Sequence, residues 1–193
     1  MCSSDLTRRR FVPAPELEDA LAHGEALGAE AAARAVRSRH GHARLEGRPV
    51  VVLDLRHRAQ HASGARTQQL VAALRERGID ASDPAEQGGP AQYRYPEPPS
   101  PQGGPDLPSR SSHGDPAAQV LAVTRLPRSD AEEGRRLAAL LAQRPDTIVV
   151  HTGVPAAAPD HRLLVLAHGG GRTMMRAVVG LLLHGDAAHG GAR

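Results

Sequence analysis

The chain has 193 residues, a length that suits one domain, and its apolar 40% is mostly Ala, Leu and Val, with one Phe, two Tyr and no Trp. All 24 basic side chains are Arg, because lysine is absent, and 21 acidic side chains leave a net charge of +3. This small, mixed charge argues against nucleic-acid partners. The single Cys2 excludes an internal disulfide, and no apolar run approaches the roughly 20 residues of a membrane span. We therefore expect a soluble, cytoplasmic protein with neither nucleic-acid nor membrane partners.

The first third of the chain predicts a helical segment. Residues 1–14 read as an irregular tail, and Pro15–Arg39 is rich in the helix formers Ala, Glu and Arg. Gly24 and Gly28 weaken its middle, so it is either one kinked helix or two. The inward face would be an apolar stripe made of Leu17, Leu21, Leu27, Ala31, Ala35 and Val36.

A strand–loop–helix unit follows. Pro49–Leu55 is an unbroken apolar run that predicts a buried strand, and Ala65–Arg77 predicts a helix closed by Gly78. Ile79–Ser82 allows a short second strand. Residues 83–116 have no hydrophobic period and are dominated by Pro, Gly, Ser and Gln. We interpret them as an inserted disordered loop, with a functional lid as the alternative.

The last third repeats the alternation of strand and helix. Strands are predicted at Ala118–Thr124, Thr147–His151 and Leu163–Ala167, and helices at Ala131–Gln143 and Thr173–His184. This order predicts an α/β fold, a three-layer α/β/α sandwich with a mainly parallel sheet. The domain would span residues 15–185, and residues 186–193 would form a tail.

Loops that follow strands are the first candidates for a site, because ligands or neighbouring domains dock at the carboxyl ends of strands in open α/β sheets. The loop after the first strand is polar and basic, through Arg56, His57, Arg58 and His61. Thr124–Asp130 and Thr152–Pro159 leave the same edge of the predicted sheet. An ordinary solvated loop is the alternative in each case.

The second candidate is a glycine-rich turn between a strand and a helix, made of Gly169, Gly170, Gly171 and Arg172. Such a turn either binds an anion at the helix N-terminus or simply lets the chain turn tightly and pack closely. A P-loop is excluded because it needs lysine, and a dinucleotide fingerprint would need glycine where Met174 stands.

Other catalytic and metal chemistry finds little support. His57 and His61 are four residues apart but lack the glutamate of the HExxH motif, and no GxSxG nucleophile elbow occurs. Acidic residues such as Glu86 and Glu97 fall in the irregular insertion. We therefore expect no metal, no cofactor and no self-contained catalytic set.

The order of segments resembles the second, C-terminal α/β domain of family 3 glycoside hydrolases, in particular the bacterial β-N-acetylhexosaminidase branch. The similarity covers about Glu25 to Gly185, apart from residues 83–116. The segments that carry it are GAEAAARAVRSRHG, PVVVLDLRHRAQHASG, AQVLAVTRLP, RPDTIVVHTGVP and LLVLAHGGGRTMMRAVVGLLLHG.

The resemblance implies a retaining glycosidase whose chemistry resides on a separate TIM barrel. There an Asp nucleophile and a His–Asp acid/base pair, within a KxxPGHGxxxxDxH-like motif, would act. This sequence has no segment like that motif, so no catalytic residue carries over. In the family's β-glucosidase branch the second domain donates a Glu; Glu86 or Glu97 would be the candidates, with nothing around them in support.

The leading hypothesis is an accessory domain, or a fragment, that packs on a catalytic TIM barrel and helps to bind a carbohydrate only jointly with it. Alone it would be inert. The alternative is a free-standing flavodoxin-like or Rossmann-like module for a small ligand or an anion. A protein–protein adaptor that uses the Pro-rich segment is a third possibility.

Overall fold

The computed structural model of the protein describes residues 14–40, 43–55, 66–84 and 117–185. Within these residues six strands form one sheet in the order β1-β6-β5-β4-β2-β3. Five strands are parallel, and β1 runs antiparallel to β6 at one edge. The strands are β1 Arg37–Ser38, β2 Val50–Asp54, β3 Ala81–Ser82, β4 Gln119–Thr124, β5 Ile148–His151 and β6 Leu164–Leu166.

Helices cover both faces of this sheet and confirm the predicted α/β fold. They are α1 Ala14–Ala35, α2 Arg66–Arg75, α3 Ala131–Gln143 and α4 Arg172–His184. Successive strand residues point to opposite faces. Val52 and Leu121 therefore pack in the core beneath α2 and α4, whereas Leu53 and Ala122 pack on the other face with Leu137 of α3. The result is three layers.

The connections place a topological switch point in the sheet. From β2 the chain passes through α2 to β3 on one side, and from β4 it passes through α3 to β5 on the other. Because right-handed crossovers in opposite directions use opposite faces, α2 and α3 lie on opposite sides of the sheet. Counted along the chain, the five parallel strands have the flavodoxin-like order 2-1-3-4-5, whose ligand crevice lies at the switch point, here between β2 and β4.

The predicted inward stripe of the first helix is wrong for its three leucines, although Val36 at its end is buried. Leu17, Leu21 and Leu27 of α1 are 49%, 60% and 53% exposed. Helix α1 packs on α4 rather than on the sheet, and of residues 17–36 only Ala32 and Val36 are buried. It is one helix, and a Cβ at either of its glycines would meet no atom within 4 Å.

Strand β1 was not predicted. Its two residues pair with β6, Arg37 opposite Leu166, inside a segment read as helix up to residue 39. Two residues are too few to show a strand period, so only the pairing partner defines this strand. The second predicted strand is shorter than Ile79–Ser82, since only Ala81 and Ser82 pair with β2.

Several predicted segments fall outside the described residues. These are the tail up to residue 13, the insertion from residue 85 to residue 116 and the tail from residue 186. Asp83 and Pro84, which belong to the predicted insertion, are described, and Asp83 is buried.

Candidate functional site

Two loops leave the carboxyl ends of the neighbouring strands β4 and β5, as predicted. One runs from Arg125 to Asp130 and the other from Thr152 to Pro159, with a short 3-10 helix at Pro155–Ala157. Strands β4 and β5 pair in parallel up to Thr124 and His151, so the two loops start side by side. Buried polar groups beneath them decide how they are held.

The first loop is held by Glu133. Asp130 caps α3 by accepting hydrogen bonds from the amides of Glu132 and Glu133, at 3.0 and 3.1 Å. The Glu133 side chain turns back and accepts from the amides of Arg125, at 2.5 Å, and Leu126, at 3.1 Å. This is a capping-box pattern whose glutamate reaches beyond the cap residue.

Glu133 is only 2% exposed. Burial raises the pKa of its carboxyl group, and the hydrogen bonds from the two amides oppose that rise. Asp130 and Asp54 act in the same direction as burial. Glu133 is therefore an acceptor for backbone amides in a poorly solvated position.

The second loop is held by His151, whose side chain is fully buried. Its Nε2 lies 2.9 Å from the carbonyl oxygen of Val154 and its Nδ1 lies 3.1 Å from Oγ1 of Thr124. A carbonyl oxygen only accepts, so Nε2 carries the proton and Nδ1 accepts from the Thr124 hydroxyl. Burial lowers the pKa of His151, and His168 lowers it further. With both ring nitrogens bonded, His151 fixes the loop and is not presented to a substrate.

The two loops also contact each other. Thr152 donates from its amide and its hydroxyl to the carbonyl oxygen of Thr124, at 2.8 and 3.0 Å. A Cβ at Gly153 would overlap the Arg125 carbonyl oxygen, and a Cβ at Gly134 would lie 2.5 Å from the Pro127 carbonyl oxygen. Glycine is thus required where the second loop and α3 press against the first loop.

The outer surface of this edge is apolar at two positions. Leu126 is 38% exposed and Val154 is 60% exposed. Each directly follows one member of the Arg125–Gly153 contact, so both side chains are carried by backbone that this contact holds. We call Leu126 and Val154, with the loops that carry them, the docking edge.

The tight-turn interpretation of the glycine-rich segment gains no support from its backbone angles or from the space at Gly169 and Gly171. Gly169, Gly170 and Gly171 have no positive φ; the left-handed residue of this turn is His168, with φ 51°. A Cβ at Gly169 or Gly171 would meet nothing within 4 Å, so close packing does not require glycine at either position.

The remaining predicted site residues do not converge on the docking edge in the described part of the chain. Arg172 begins α4 and faces a groove beside α1, together with Thr173. Arg56, His57, Arg58 and His61 lie outside the described residues.

Sequence reasoning missed Glu133 and His151. The Asp130-x-x-Glu133 spacing is a capping-box signal that identifies the cap, although not the reach of Glu133 to the preceding loop. His151 ends an apolar run, where a buried polar residue has to be hydrogen-bonded. Its partner is 27 residues away in sequence, so no local pattern names it.

In the described ranges no group of three or more His, Cys, Asp or Glu side chains is placed to hold a metal ion. No described helix combines the length and the apolar character that a membrane span requires. Comparisons with protein-family models, with curated proteins and with solved structures gave no match.

Proposed function

We propose that this chain is an accessory α/β domain, or a fragment, of a family 3-like glycoside hydrolase of the β-N-acetylhexosaminidase type. The docking edge packs on a catalytic TIM barrel, and the chain has no turnover alone. Carbohydrate is bound only by the two parts jointly. The resemblance in sequence suggests the family, and the geometry of the docking edge supports the mode of action.

The observation that carries the proposal is an apolar surface on preordered loops. Exposed Leu126 and Val154 would gain from leaving water, as apolar side chains at the centre of interfaces do. Ordering a mobile loop on association costs roughly 0.5–1.5 kcal/mol for each immobilised side chain. Here Glu133 and His151 hold both loops before any partner arrives, so much of that cost does not arise on docking.

The first test concerns activity. The purified chain is assayed on an aryl N-acetyl-β-glucosaminide, alone and with the barrel polypeptide. The DNA immediately 5′ of this reading frame is sequenced to obtain that barrel. We expect turnover only when both parts are present. Turnover by the chain alone would refute the claim of inertness. The barrel would be encoded upstream or as a separate chain, so a barrel that neither binds the chain nor gains turnover from it would refute the accessory assignment.

The second test concerns the docking edge. Leu126→Glu and Val154→Glu place charge on the proposed interface, and Leu183→Glu on α4 is the matched control because Leu183 is 36% exposed outside this edge. We expect each docking-edge variant to weaken barrel binding at least tenfold and the control to leave it unchanged. Equal affinity of all three variants would show that the barrel contacts another surface.

A second candidate function, a free-standing small-ligand or anion module, is favoured by the flavodoxin-like strand order with its switch point between β2 and β4. Strand order alone does not assign a ligand. Calorimetric titration of the isolated chain with nucleotides and phosphosugars distinguishes the candidates, because only this second function predicts saturable heat without a barrel.

A further inference from the structure

A groove of about 620 Å³ lies between α1 and α4, and none of the docking-edge residues lines it. One wall is the alanine face of α1, contributed by Ala22, Ala26, Ala29 and Ala33. The facing wall belongs to α4 and includes Ala177 and Gly180. A volume between roughly 300 and 1,000 Å³ is typical of small-molecule sites, which combine apolar walls with a few convergent polar groups.

Three guanidinium groups converge on this groove, those of Arg77, Arg172 and Arg176. All three lower the pKa of a single carboxyl group, that of Glu76, with the Arg176 hydrogen bonds as the largest cause. Arg176 pairs with Glu76 through two hydrogen bonds of 2.8 and 3.0 Å.

Positive charge is in excess around these three arginines. In the part of the chain that the structure describes, neither Arg77 nor Arg172 makes a side-chain hydrogen bond or an ion pair. Glu25 also lines the groove and acts on Arg176, so three cations face two carboxylates. One further anion would balance the remaining positive charge.

We propose that the groove binds an amphiphilic organic carboxylate, with the carboxylate between Arg77 and Arg172 and the apolar body along the alanine wall. A carboxylate is the favoured head group because the cluster already holds one in a two-point pair, and guanidinium matches it in shape. The apolar body follows from the walls, which offer methyl and methylene groups over most of their length. This proposal is independent of the glycosidase assignment.

Sodium decanoate is the probe, titrated into the full chain and followed by calorimetry and by amide NMR shifts. Acetate supplies the head group without the body, and decyltrimethylammonium supplies the body with the opposite charge. We expect decanoate to bind at least tenfold more tightly than either, with the largest shifts at Thr173 and Gly180. Equal affinity for decyltrimethylammonium would overturn the proposal, because charge would then play no part.

Variants locate the site. Arg172→Gln removes one guanidinium and should weaken decanoate binding on the order of tenfold, the usual size of a hydrogen bond to a charged group. Arg162→Gln removes the same charge from an exposed position outside the groove and should change affinity less than about twofold, as expected for a remote surface charge. Equal losses in the two variants would indicate non-specific attraction and refute the site.

Gly180 allows the groove to be filled. A Cβ there would meet nothing within 4 Å, so Gly180→Leu places a side chain in open space, and Gly180→Ala controls for the change in helix propensity. We expect Gly180→Leu to abolish decanoate binding and Gly180→Ala to retain it. Unchanged binding by a folded Gly180→Leu would place the ligand elsewhere. If that variant does not fold, the comparison of Arg172→Gln with Arg162→Gln decides.

Discussion

Replacing Glu133 with alanine should release the first loop of the docking edge. The carboxylate accepts hydrogen bonds from two backbone amides, those of Arg125 and Leu126. Leaving a buried donor unpaired costs about 1–3 kcal/mol. Both bonds are partly buried, so the lower half of that range applies to each amide, and Glu133→Ala should lower the free energy of unfolding by about 2–4 kcal/mol. For a chain of this size the melting temperature would fall by roughly 5–15 °C.

Glu133→Gln keeps a hydrogen-bond acceptor at this position and removes the negative charge. Oε1 accepts from both amides, and a glutamine oxygen can take its place; the longer 3.2 Å bond from Leu126 to Oε2 is lost, because an amide nitrogen replaces that oxygen. Because burial raises the pKa of Glu133, the negative charge itself is poorly accommodated, so its removal offsets part of the lost bond strength. We expect Glu133→Gln to stay within about 1 kcal/mol of the wild type.

The assay is urea unfolding followed by far-ultraviolet ellipticity, with hydrogen exchange of the two amides as a local readout. Glu132→Ala is the matched control on the same turn, since Glu132 pairs with the exposed Arg135 and the half-buried Arg136 on the same helix, and solvent-accessible pairs of this kind contribute about 0–1 kcal/mol. If Glu133→Gln were as destabilising as Glu133→Ala, charge rather than amide pairing would hold the loop. Unchanged amide exchange in Glu133→Ala would refute the mechanism directly.

Three further predictions concern the loops and the outer helix. Gly153→Ala forces a methyl group against backbone and should cost about 2 kcal/mol or more, whereas Gly169→Ala meets open space and should change stability by less than about 0.5 kcal/mol in urea unfolding. His151→Gln should remove a pH dependence of the unfolding free energy. Burial lowers the pKa of His151 in the folded chain below its ordinary 6.5, so the unfolded chain binds a proton more readily. The stability of the wild type therefore falls as the pH drops through 6.5. The difference in unfolding free energy between wild type and His151→Gln should therefore narrow from pH 8 to pH 5. The double replacement of Gly24 and Gly28 by alanine should stabilise α1 by up to about 1 kcal/mol at each position, seen as slower amide exchange in that helix.

Each of these three predictions has an outcome that would contradict it. Equal stability of Gly153→Ala and Gly169→Ala would mean that the loops are not in close contact. A stability difference for His151→Gln that does not vary with pH would show that the ring titrates alike in the folded and unfolded chain. Unchanged exchange in α1 after both glycine replacements would mean that detachment of the whole helix, and not its internal helicity, limits exchange.

Local signals were sufficient for most of the sheet and its helices. Val50–Leu53 and Val120–Val123 are apolar runs that any covered parallel strand would show, and the structure places both at the centre of the sheet. The predicted bounds of α3, Ala131–Gln143, agree with the observed ones, because Asp130 caps the start of the helix and Pro145 follows its end. Such signals act within a few residues, so they can be read from the chain alone.

Which side chains are buried and which strands pair could not be predicted from the sequence in the same way. The leucines of α1 have helical spacing, yet which face a helix buries depends on the element it meets, and α1 meets α4 through its alanines. Strand β1 exists only because β6 lies beside it. Both outcomes are decided by contacts between residues more than 100 positions apart, and no local pattern carries that information.

The sequence by itself determined the order of strands and helices, and with it the layered α/β class, because hydrophobic period, caps and glycine stops are short-range properties of the chain. Only the tertiary structure decided how the docking edge is built. Gly153 is opposed to the Arg125 carbonyl group, and His151 meets Thr124, because neighbouring parallel strands end together. The physical reason is distance along the chain: Thr124 and His151 are 27 residues apart, and only the folded sheet brings them within hydrogen-bond range.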